Sequence, residues 1–132
     1  DGARPLVTPE LIDRVVEKAA ACGAAAPAVP VKDTIKVSES GAVDATPRRE
    51  TLFAVQTPQV FDADLIKGAL TVAAAKALPI TDDCSAIELM GVKVKAVEGD
   101  PNNIKLTTPN DVMLAEAILR DRGDEYADRT WL

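Results

Sequence analysis

A short apolar run, AAAPAVP at residues 24–30, constrains the fold of this chain more than any other stretch. It contains no polar residue, which is typical of a strand that is buried on both faces of a parallel sheet. A helix is predicted just before it, because Thr8 suits an N-cap, Pro9 the first helical position, and Gly23 the helix end. A helix followed by a buried strand is half of a β-α-β unit, and we expect the preceding strand to lie before Asp1.

The rest of the sequence alternates predicted helices with short strands. Helix starts are predicted at Asp62, where Phe61 and Ile66 would pack across the cap, at residues 81–83, and at Thr108. The further predicted strands cover residues 34–37 and 42–45, which could pair as a hairpin, 52–56, 92–97 and, briefly, 104–107. Residues 1–132 are therefore predicted to form a single α/β layered domain, a fold class from which no activity follows on its own.

Charge and composition exclude several classes of function. A net charge of −6 over 132 residues argues against nucleic acid, which requires a basic face. No apolar run approaches membrane-spanning length and no signal peptide is present, so we expect no membrane contact and a cytoplasmic location. Without histidine, a His-based general base or triad is impossible within this chain. Cys22 and Cys84 lack metal-ligand spacing, and we interpret them as ordinary small apolar residues.

Residues 31–58 are predicted to form a protruding arm. Within residues 32–50 only three sizeable aliphatic residues occur, too few for the segment to bury itself, because even a hairpin is marginal alone. The arm must therefore lie against its own subunit or against a partner. It also concentrates cations, as an acidic protein must do to bind an anion. These cations are Lys32, Lys36, Arg48 and Arg49.

The first candidate site residues follow predicted strands. Asp1 and Arg4 lie in DGARP, where a strand would turn into a loop, and ligands of α/β sheets collect at such edges. A capping aspartate and a solvated arginine would explain the pair equally well. Thr34 and Lys36 point to one face of an extended segment, which suits a phosphate or polyol. In isolation, a routine strand threonine beside a solvated lysine is the better interpretation.

Four further places in the sequence carry anion-binding or metal-binding potential. The arginine pair Arg48-Arg49 is the sharpest signal, because a guanidinium presents a fork of donors that matches phosphate oxygens. Thr57 is explained almost as well by turn chemistry at a strand end. Lys105 precedes a helix N-terminus, an arrangement that favours anions, but it could be a plain surface lysine. Thr81, with the acids after it, could hold a metal, although capping of the next helix is favoured.

Taken in order, these segments resemble one family. They are DGARP, PVKDTIK, an arginine-bearing arm, AVQTPQVF, ITDDCSA and VEGDPNNIKLTTPNDV, and from Asp1 to about Leu119 they are similar to the carboxyl-terminal part of 2-C-methyl-D-erythritol 4-phosphate cytidylyltransferases. The resemblance implies a three-layer, Rossmann-like nucleotidyltransferase fold with a protruding β-arm. It also implies cytidylyl transfer from CTP to methylerythritol phosphate in the non-mevalonate isoprenoid pathway, with Mg²⁺ and release of pyrophosphate. The implied assembly is a homodimer in which each arm reaches over the other subunit's active site.

The resemblance also implies a role for each candidate residue. Arg49 and Lys105 would be catalytic and would position the methylerythritol phosphate for attack. Asp1 would contact substrate and also lie close to the metal and the nucleotide. The other implied substrate contacts are Arg4, Thr34, Thr57 and, as a weaker transfer, Thr81.

One part of the family pattern has no counterpart in this sequence. The family's CTP-binding half carries a Gly-rich loop with an Arg and a Lys, and it precedes DGARP. Gly2, Gly23 and Gly41 are scattered instead. We therefore expect the chain to need an amino-terminal half of the same protein and to be inactive without it. The alternatives are a non-catalytic dimerisation or phosphate-binding fragment and a related sugar-phosphate enzyme, such as a ribitol phosphate cytidylyltransferase.

Overall fold

The structure is a computed structural model that describes residues 2–123, and its sheet is built around strand β1, Ala24–Pro30. The first five residues of β1 are buried, as the apolar run predicts. One edge of β1 pairs in parallel with β4, Lys95–Glu98. The other edge pairs antiparallel with β2, Phe53–Val55, and then with β3, Val60–Phe61. Because Ala25 and Ala28 each pair in both directions, β1 is the central strand.

Helices cover both faces of this sheet. Successive residues of a strand point to opposite faces. The helices are α1, Pro9–Cys22, α2, Ala63–Ala75, α3, Asp83–Leu89, and α4, Pro109–Asp121. Ala25 packs with Leu11 and Val15 of α1, whereas Ala24 packs with residues of α2 and α3. The prediction of a layered α/β fold, with helices on each side of a sheet, is confirmed.

Local capping chemistry explains where the helices begin and end. The hydroxyl of Thr8 accepts a hydrogen bond from the backbone N–H of Leu11 at 3.3 Å, and thus caps α1. Gly23 ends α1 in the left-handed region, at φ 84°, which favours glycine. Asp62 caps α2 by accepting two backbone hydrogen bonds, each of 3.0 Å. Capping supplies partners for backbone N–H groups that a helix start leaves unpaired.

Two predicted strands differ from the observed structure. The strand predicted over residues 92–97 is β4, Lys95–Glu98, because Val92 and Val94 pack instead against the cluster under α3. Residues 104–107 form no strand: Ile104 and Leu106 pack with residues of α4, and the N–H of Leu106 donates to the carbonyl of Ala3 at 2.7 Å. Packing against helices thus overrode the extended pattern at both places.

The predicted hairpin in the arm is reduced to a single bridge. Val37 and Ala45 pair, with hydrogen bonds of 2.9 Å on each side of the bridge, and no regular strand continues from them. A two-stranded ribbon without a covering layer has little to stabilise it.

Across residues 2–123 there is no helix with the length and apolar character needed to cross a membrane.

Candidate functional site

In the part of the chain that the structure describes, hydrogen bonds join the outer arm, residues 32–50, to the sheet at its base. The N–H of Val31 donates to the carbonyl of Leu52 at 3.2 Å, and Nη1 of Arg49 donates to the carbonyl of Lys32 at 3.1 Å. Farther out, Nζ of Lys36 donates to the hydroxyl of Thr46 at 2.8 Å. The three aliphatic side chains of the outer arm are 39%, 42% and 62% exposed, for Ile35, Val37 and Val43 respectively. The described part of this chain therefore does not cover them.

Two predicted site residues, Arg49 and Thr34, are exposed on the outer arm. Arg49 begins a short 3-10 helix, Arg49–Thr51, which turns the chain back toward β2. One nitrogen of its guanidinium bonds to Lys32, and a guanidinium carries five N–H donors. The side chain is thus anchored and still able to present donors to an anion.

Arg4 and Thr57 meet at a small cavity of about 110 Å³. Its other lining residues are Val7, Ile12 and Pro58, and the peptide bond between Thr57 and Pro58 is cis. Arg4 comes from the segment before α1, and Thr57 from the segment between β2 and β3. The fold thus brings together two predicted site residues that lie far apart in the sequence.

A buried polar node, formed by Gln56, Asp100 and Asn103, lies behind this cavity. Gln56 is 5% exposed and Asn103 is fully buried. Nε2 of Gln56 donates to the carbonyl of Asp100 at 2.8 Å, and its Oε1 accepts from the N–H of Asp100 at 3.2 Å. Nδ2 of Asn103 donates to the carbonyl of Thr57 at 2.9 Å. These bonds join the residues after β4 to the residues between β2 and β3.

Gly99 allows the polar node to sit this close to the sheet. A Cβ atom at position 99 would lie 2.7 Å from Oε1 of Gln56 and 3.1 Å from the backbone carbon of Ala28. Real Cβ atoms essentially never come within 3.0 Å of another heavy atom. The glycine is required here for close approach.

Burial sets the electrostatics of Arg4. Its Nη1 donates a short hydrogen bond to the backbone carbonyl of Asn103, and burial lowers the pKa of the guanidinium. Nε of Arg4 and Oδ1 of Asn103 are buried and have no hydrogen-bond partner among the described residues. An unpaired buried polar group costs about 1–3 kcal/mol.

Lys105 lies next to the Arg4 segment. It is exposed, and it stands two residues after Asn103 and one before Leu106, whose N–H bonds to Ala3. The backbone on each side of Lys105 is therefore attached to residues 3–4. The predicted α4 start after it is observed as a capping box of Thr108 and Asp111.

Thr81 is connected to the same region through Gln59. Thr81 is exposed at the start of α3, where its N–H donates to the hydroxyl of Ser85 at 3.0 Å. Gln59 bonds to Asp82 at 2.7 Å and accepts from the N–H of Cys84 at 3.1 Å, and so it ties the start of α3 to the residues after Thr57. Asp82 is the N-cap of α3, which agrees with the prediction that the acids after Thr81 cap the next helix.

Two further findings concern the acidic side chains and the cysteines. Within residues 2–123, no group of three or more His, Cys, Asp or Glu side chains is placed to hold a metal ion. Asp1, the predicted metal and substrate contact, lies outside the described residues. Burial raises the pKa of the Cys84 thiol to about 12, with smaller contributions from the acids Asp82, Glu88 and Asp83. A thiol of that pKa is a poor nucleophile at neutral pH.

Sequence reasoning missed the polar node. Arg122, which follows α4, also belongs to this network: it contacts Asp100 at 3.3 Å and donates to the carbonyl of Leu6 at 2.9 Å. The available signal was the residue types: Gln56 is an amide at the end of one predicted strand, and Asn103 is an amide directly before another. Nothing local shows that the two amides are buried against each other.

The chain resembles one family throughout its described length. The family model for IspD, 2-C-methyl-D-erythritol 4-phosphate cytidylyltransferase, matches residues 1–121. The chain is 49% identical over 127 residues to the protein of that name from Syntrophotalea carbinolica, a match that covers 96% of this chain and 54% of the relative. It is 52% identical over 123 residues to the one from Desulforamulus reducens, covering 92% and 53%. The chain thus spans about half the length of the curated relatives it matches.

Solved structures give the same result for the fold. The crystal structure of 2-C-methyl-D-erythritol 4-phosphate cytidylyltransferase from Thermus thermophilus matches with a TM-score of 0.81 at 41% identity, over 89% of this chain and 58% of that chain. The enzyme of the same name from Francisella tularensis matches with a TM-score of 0.83 at 30% identity, over 89% and 56%. The predicted Rossmann-like nucleotidyltransferase fold is confirmed.

Proposed function

Since this chain belongs to the 2-C-methyl-D-erythritol 4-phosphate cytidylyltransferase family, we propose that its full-length protein transfers the cytidylyl group of CTP to 2-C-methyl-D-erythritol 4-phosphate. The products would be 4-diphosphocytidyl-2-C-methyl-D-erythritol and pyrophosphate, in the non-mevalonate isoprenoid pathway. The observation that carries the proposal is the cavity where Arg4 and Thr57 meet, beside the segment of Lys105. Arg4 and Thr57 come from two of the family motifs, and the backbone on each side of Lys105, in a third motif, bonds to residues 3–4.

The chemistry suits a site without histidine. An oxygen of the acceptor phosphate attacks the α-phosphorus of CTP, and a new phosphorus–oxygen bond forms. The bond from that phosphorus to the bridging oxygen of the β-phosphate breaks, and pyrophosphate leaves with the electron pair. The acceptor oxygen is already an anionic nucleophile, so no base is needed to activate it. Catalysis then rests on positioning and on charge stabilisation.

Charge is the main barrier, because a phosphate dianion must approach an anionic triphosphate. Arg49 is proposed to hold the acceptor phosphate by its fork of donors, and Lys105 to hold it as a compact positive charge. Both side chains are exposed, and no described salt bridge neutralises either of them. Hydroxyls and a guanidinium would fix the rest of the substrate. The proposed further contacts are Arg4, Thr34, Thr57, Thr81 and Asp1.

The proposal includes Mg²⁺ and an amino-terminal half. Mg²⁺, when bound, would neutralise charge on the triphosphate. Its proposed contact is Asp1, the residue that the family resemblance places close to the metal and the nucleotide. The triphosphate itself would be held by a Gly-rich loop of the amino-terminal half, without which we expect this chain to be inactive. The cytoplasm stays the expected location.

A homodimer formed through the arm is also part of the proposal. It is supported by the exposure of Ile35, Val37 and Val43 on an outer arm that is tied at its base. Apolar side chains grouped on a protruding segment suit burial against a partner subunit. Such a partner would bring Arg49 and Thr34 to a site, since among the described residues neither of them lines the cavity of Arg4 and Thr57.

The direct test is a transfer assay with the full-length protein. An intact-mass measurement first establishes which polypeptides the sample contains. CTP is then offered with methylerythritol phosphate or with ribitol phosphate, and product is followed by phosphorus NMR. We expect transfer to methylerythritol phosphate and little to ribitol phosphate. The reverse preference would move the protein to the related sugar-phosphate class, and no transfer to either acceptor would support a non-catalytic role.

The role of Lys105 is tested by a matched pair of variants. Lys105→Ala should lower the transfer rate by about 10²- to 10³-fold, as removal of one charge-stabilising donor typically does. Lys95→Ala removes the same exposed side chain from β4 and should leave the rate unchanged. Equal rates for the two variants would count against the assigned role.

A further inference from the structure

We propose that Asn103 is a positioning residue that fixes Arg4, Thr57 and Lys105 relative to one another in the acceptor site. This inference rests on the proposed function and deepens it. Asn103 is not among the candidate site residues predicted from the sequence, and its side chain is fully buried. It is therefore placed to act through its neighbours and not by touching the substrate.

Asn103 bonds to both walls of the cavity. Its backbone carbonyl accepts from the guanidinium of Arg4, and its Nδ2 donates to the carbonyl of Thr57 at 2.9 Å. The bonded partners lie 99 and 46 positions away along the chain. A displacement of Asn103 would consequently move or release both Arg4 and Thr57.

The position of Asn103 is itself held from behind. Its N–H donates to the carbonyl of Asp100 at 2.9 Å, and its Nδ2 lies 3.4 Å from Oε1 of Gln56. The side-chain amide of Gln56 makes two hydrogen bonds to the backbone of Asp100, and Arg122 forms a salt bridge with the carboxylate of Asp100 at 3.3 Å. The loop that carries Asn103 is thus pinned from both the sheet and α4.

The same loop presents Lys105. A single residue, Ile104, separates Lys105 from Asn103, and the hydrogen bond from Leu106 to Ala3 holds the backbone on the other side. The exposed ammonium therefore projects from a backbone whose two ends are held. A misplacement of about 1 Å can lower a rate by roughly a hundredfold, so this restraint has a kinetic consequence.

An amide at position 103 is chemically specific. The carbonyl of Thr57 needs a donor, which the NH₂ group of asparagine supplies. Aspartate has the same shape but, when ionised, would place a negative oxygen against that carbonyl. Alanine would remove the donor and leave the backbone bonds to Arg4 and Asp100 possible.

The sequence offers a matched control in Asn102. It has the same side chain one position earlier, is exposed, and uses only its backbone N–H in a described bond, to Asp100 at 2.8 Å. Asn103→Asp and Asn102→Asp therefore make the same chemical change. Asn103→Ala and Asn102→Ala form a second pair, which serves if Asn103→Asp fails to fold.

The test measures KM and kcat of the four full-length variants for each substrate. We expect both Asn103 variants to raise KM for methylerythritol phosphate by about tenfold or more, with KM for CTP unchanged. Both Asn102 variants should behave as wild type. A fall in kcat that matches the loss of folded protein, with KM for methylerythritol phosphate unchanged, would show a merely structural role and overturn the proposal.

A second readout does not depend on activity. Hydrogen exchange of Asn103→Ala should be faster than that of Asn102→Ala in residues 3–7 and 56–61, and equal in α2. Equal exchange in all three segments would overturn the positioning role even in an active enzyme. A wild-type protein that transfers no cytidylyl group would instead refute the proposed function, and the two failures are thereby distinguished.

Discussion

The outer arm and the polar node differ in how far their polar groups are exposed to solvent. The outer arm exposes its cations and its aliphatic side chains, and a few hydrogen bonds at its base hold it. The polar node buries two amides, and each of them joins segments far apart in the sequence. Exposed charge can be moved or removed at little structural cost, whereas a buried amide is costly to disturb.

This difference separates chemistry from positioning. In the proposed enzyme, the outer arm brings Arg49 to the acceptor phosphate, and the polar node holds Arg4, Thr57 and Lys105 in register. Substitutions in the outer arm should then change activity with little change in stability. Substitutions around the polar node should change both.

The largest effect is expected at the outer arm. Arg49→Ala in the full-length protein should lower the rate of pyrophosphate release by about 10²- to 10³-fold, because a donor to the reacting phosphate is lost. Its free energy of unfolding should change by less than about 0.5 kcal/mol, since the side chain is exposed. Arg48→Ala is the matched control and should be much less affected. Equal losses in the two variants would indicate a general charge effect and remove the specific role of Arg49.

The next effect is expected behind the polar node. Gly99→Ala should lower the free energy of unfolding by about 1–3 kcal/mol, because the new methyl group would overlap Gln56 and the backbone of β1. Gly68→Ala is the control: nothing lies within 4 Å of its Cβ position on α2, and alanine should stabilise the helix by about 0.5–1 kcal/mol. Urea denaturation measures both. A neutral Gly99→Ala variant would mean that the polar node tolerates displacement.

A smaller effect is expected at the α4 start that follows Lys105. Hydrogen bonds from the backbone of Thr107 and Thr108, and then from their hydroxyls, lower the pKa of Asp111 from 3.8 to about 2. Because the pKa is lower in the folded state, the ionised carboxylate stabilises the fold above about pH 4, and this contribution is lost as the pH falls toward 2. Asp111→Asn should reduce stability at pH 7 and flatten the acid limb of the stability curve. If the acid limb of the Asp111→Asn stability curve matched that of the wild type, the capping role of the ionised Asp111 would be contradicted.

The smallest effect on stability is expected at Val43, which is the most exposed aliphatic side chain of the outer arm. Val43→Ser should change the free energy of unfolding of a subunit by less than about 0.5 kcal/mol. It should weaken the proposed dimer, which analytical ultracentrifugation measures. Subunit destabilisation of several kcal/mol would show that the outer arm packs on its own subunit. The outer arm and the polar node would then not differ in burial as described.

Much of the fold was predictable because its signals are local. The apolar run of β1, the cap at Thr8 and the glycine at position 23 each depend on neighbours a few residues away, and the predicted α1–β1 unit is observed. The prediction of strands at 92–94 and 104–107 was wrong. These segments pack against helices whose residues are distant in the sequence, and no local pattern reveals that packing.

The candidate site divides in the same way. The cations of the outer arm could be found from type and spacing alone, and their roles stay predictions. The polar node could not be found, because Asn103 and Thr57 are 46 positions apart and nothing in either local sequence specifies their contact. Buried amides are recognised only once the fold has placed their partners.

The most direct measurement mixes two inactive variants of the full-length protein, Arg49→Ala and Lys105→Ala. If the arm of one subunit serves the active site of the other, a mixed dimer has one site with both residues intact. We predict recovery of about a quarter of the wild-type rate after random exchange of subunits in a two-fold symmetric dimer. If no activity returns although mixed dimers form, Arg49 and Lys105 do not meet across subunits, and the proposed role of the outer arm is wrong.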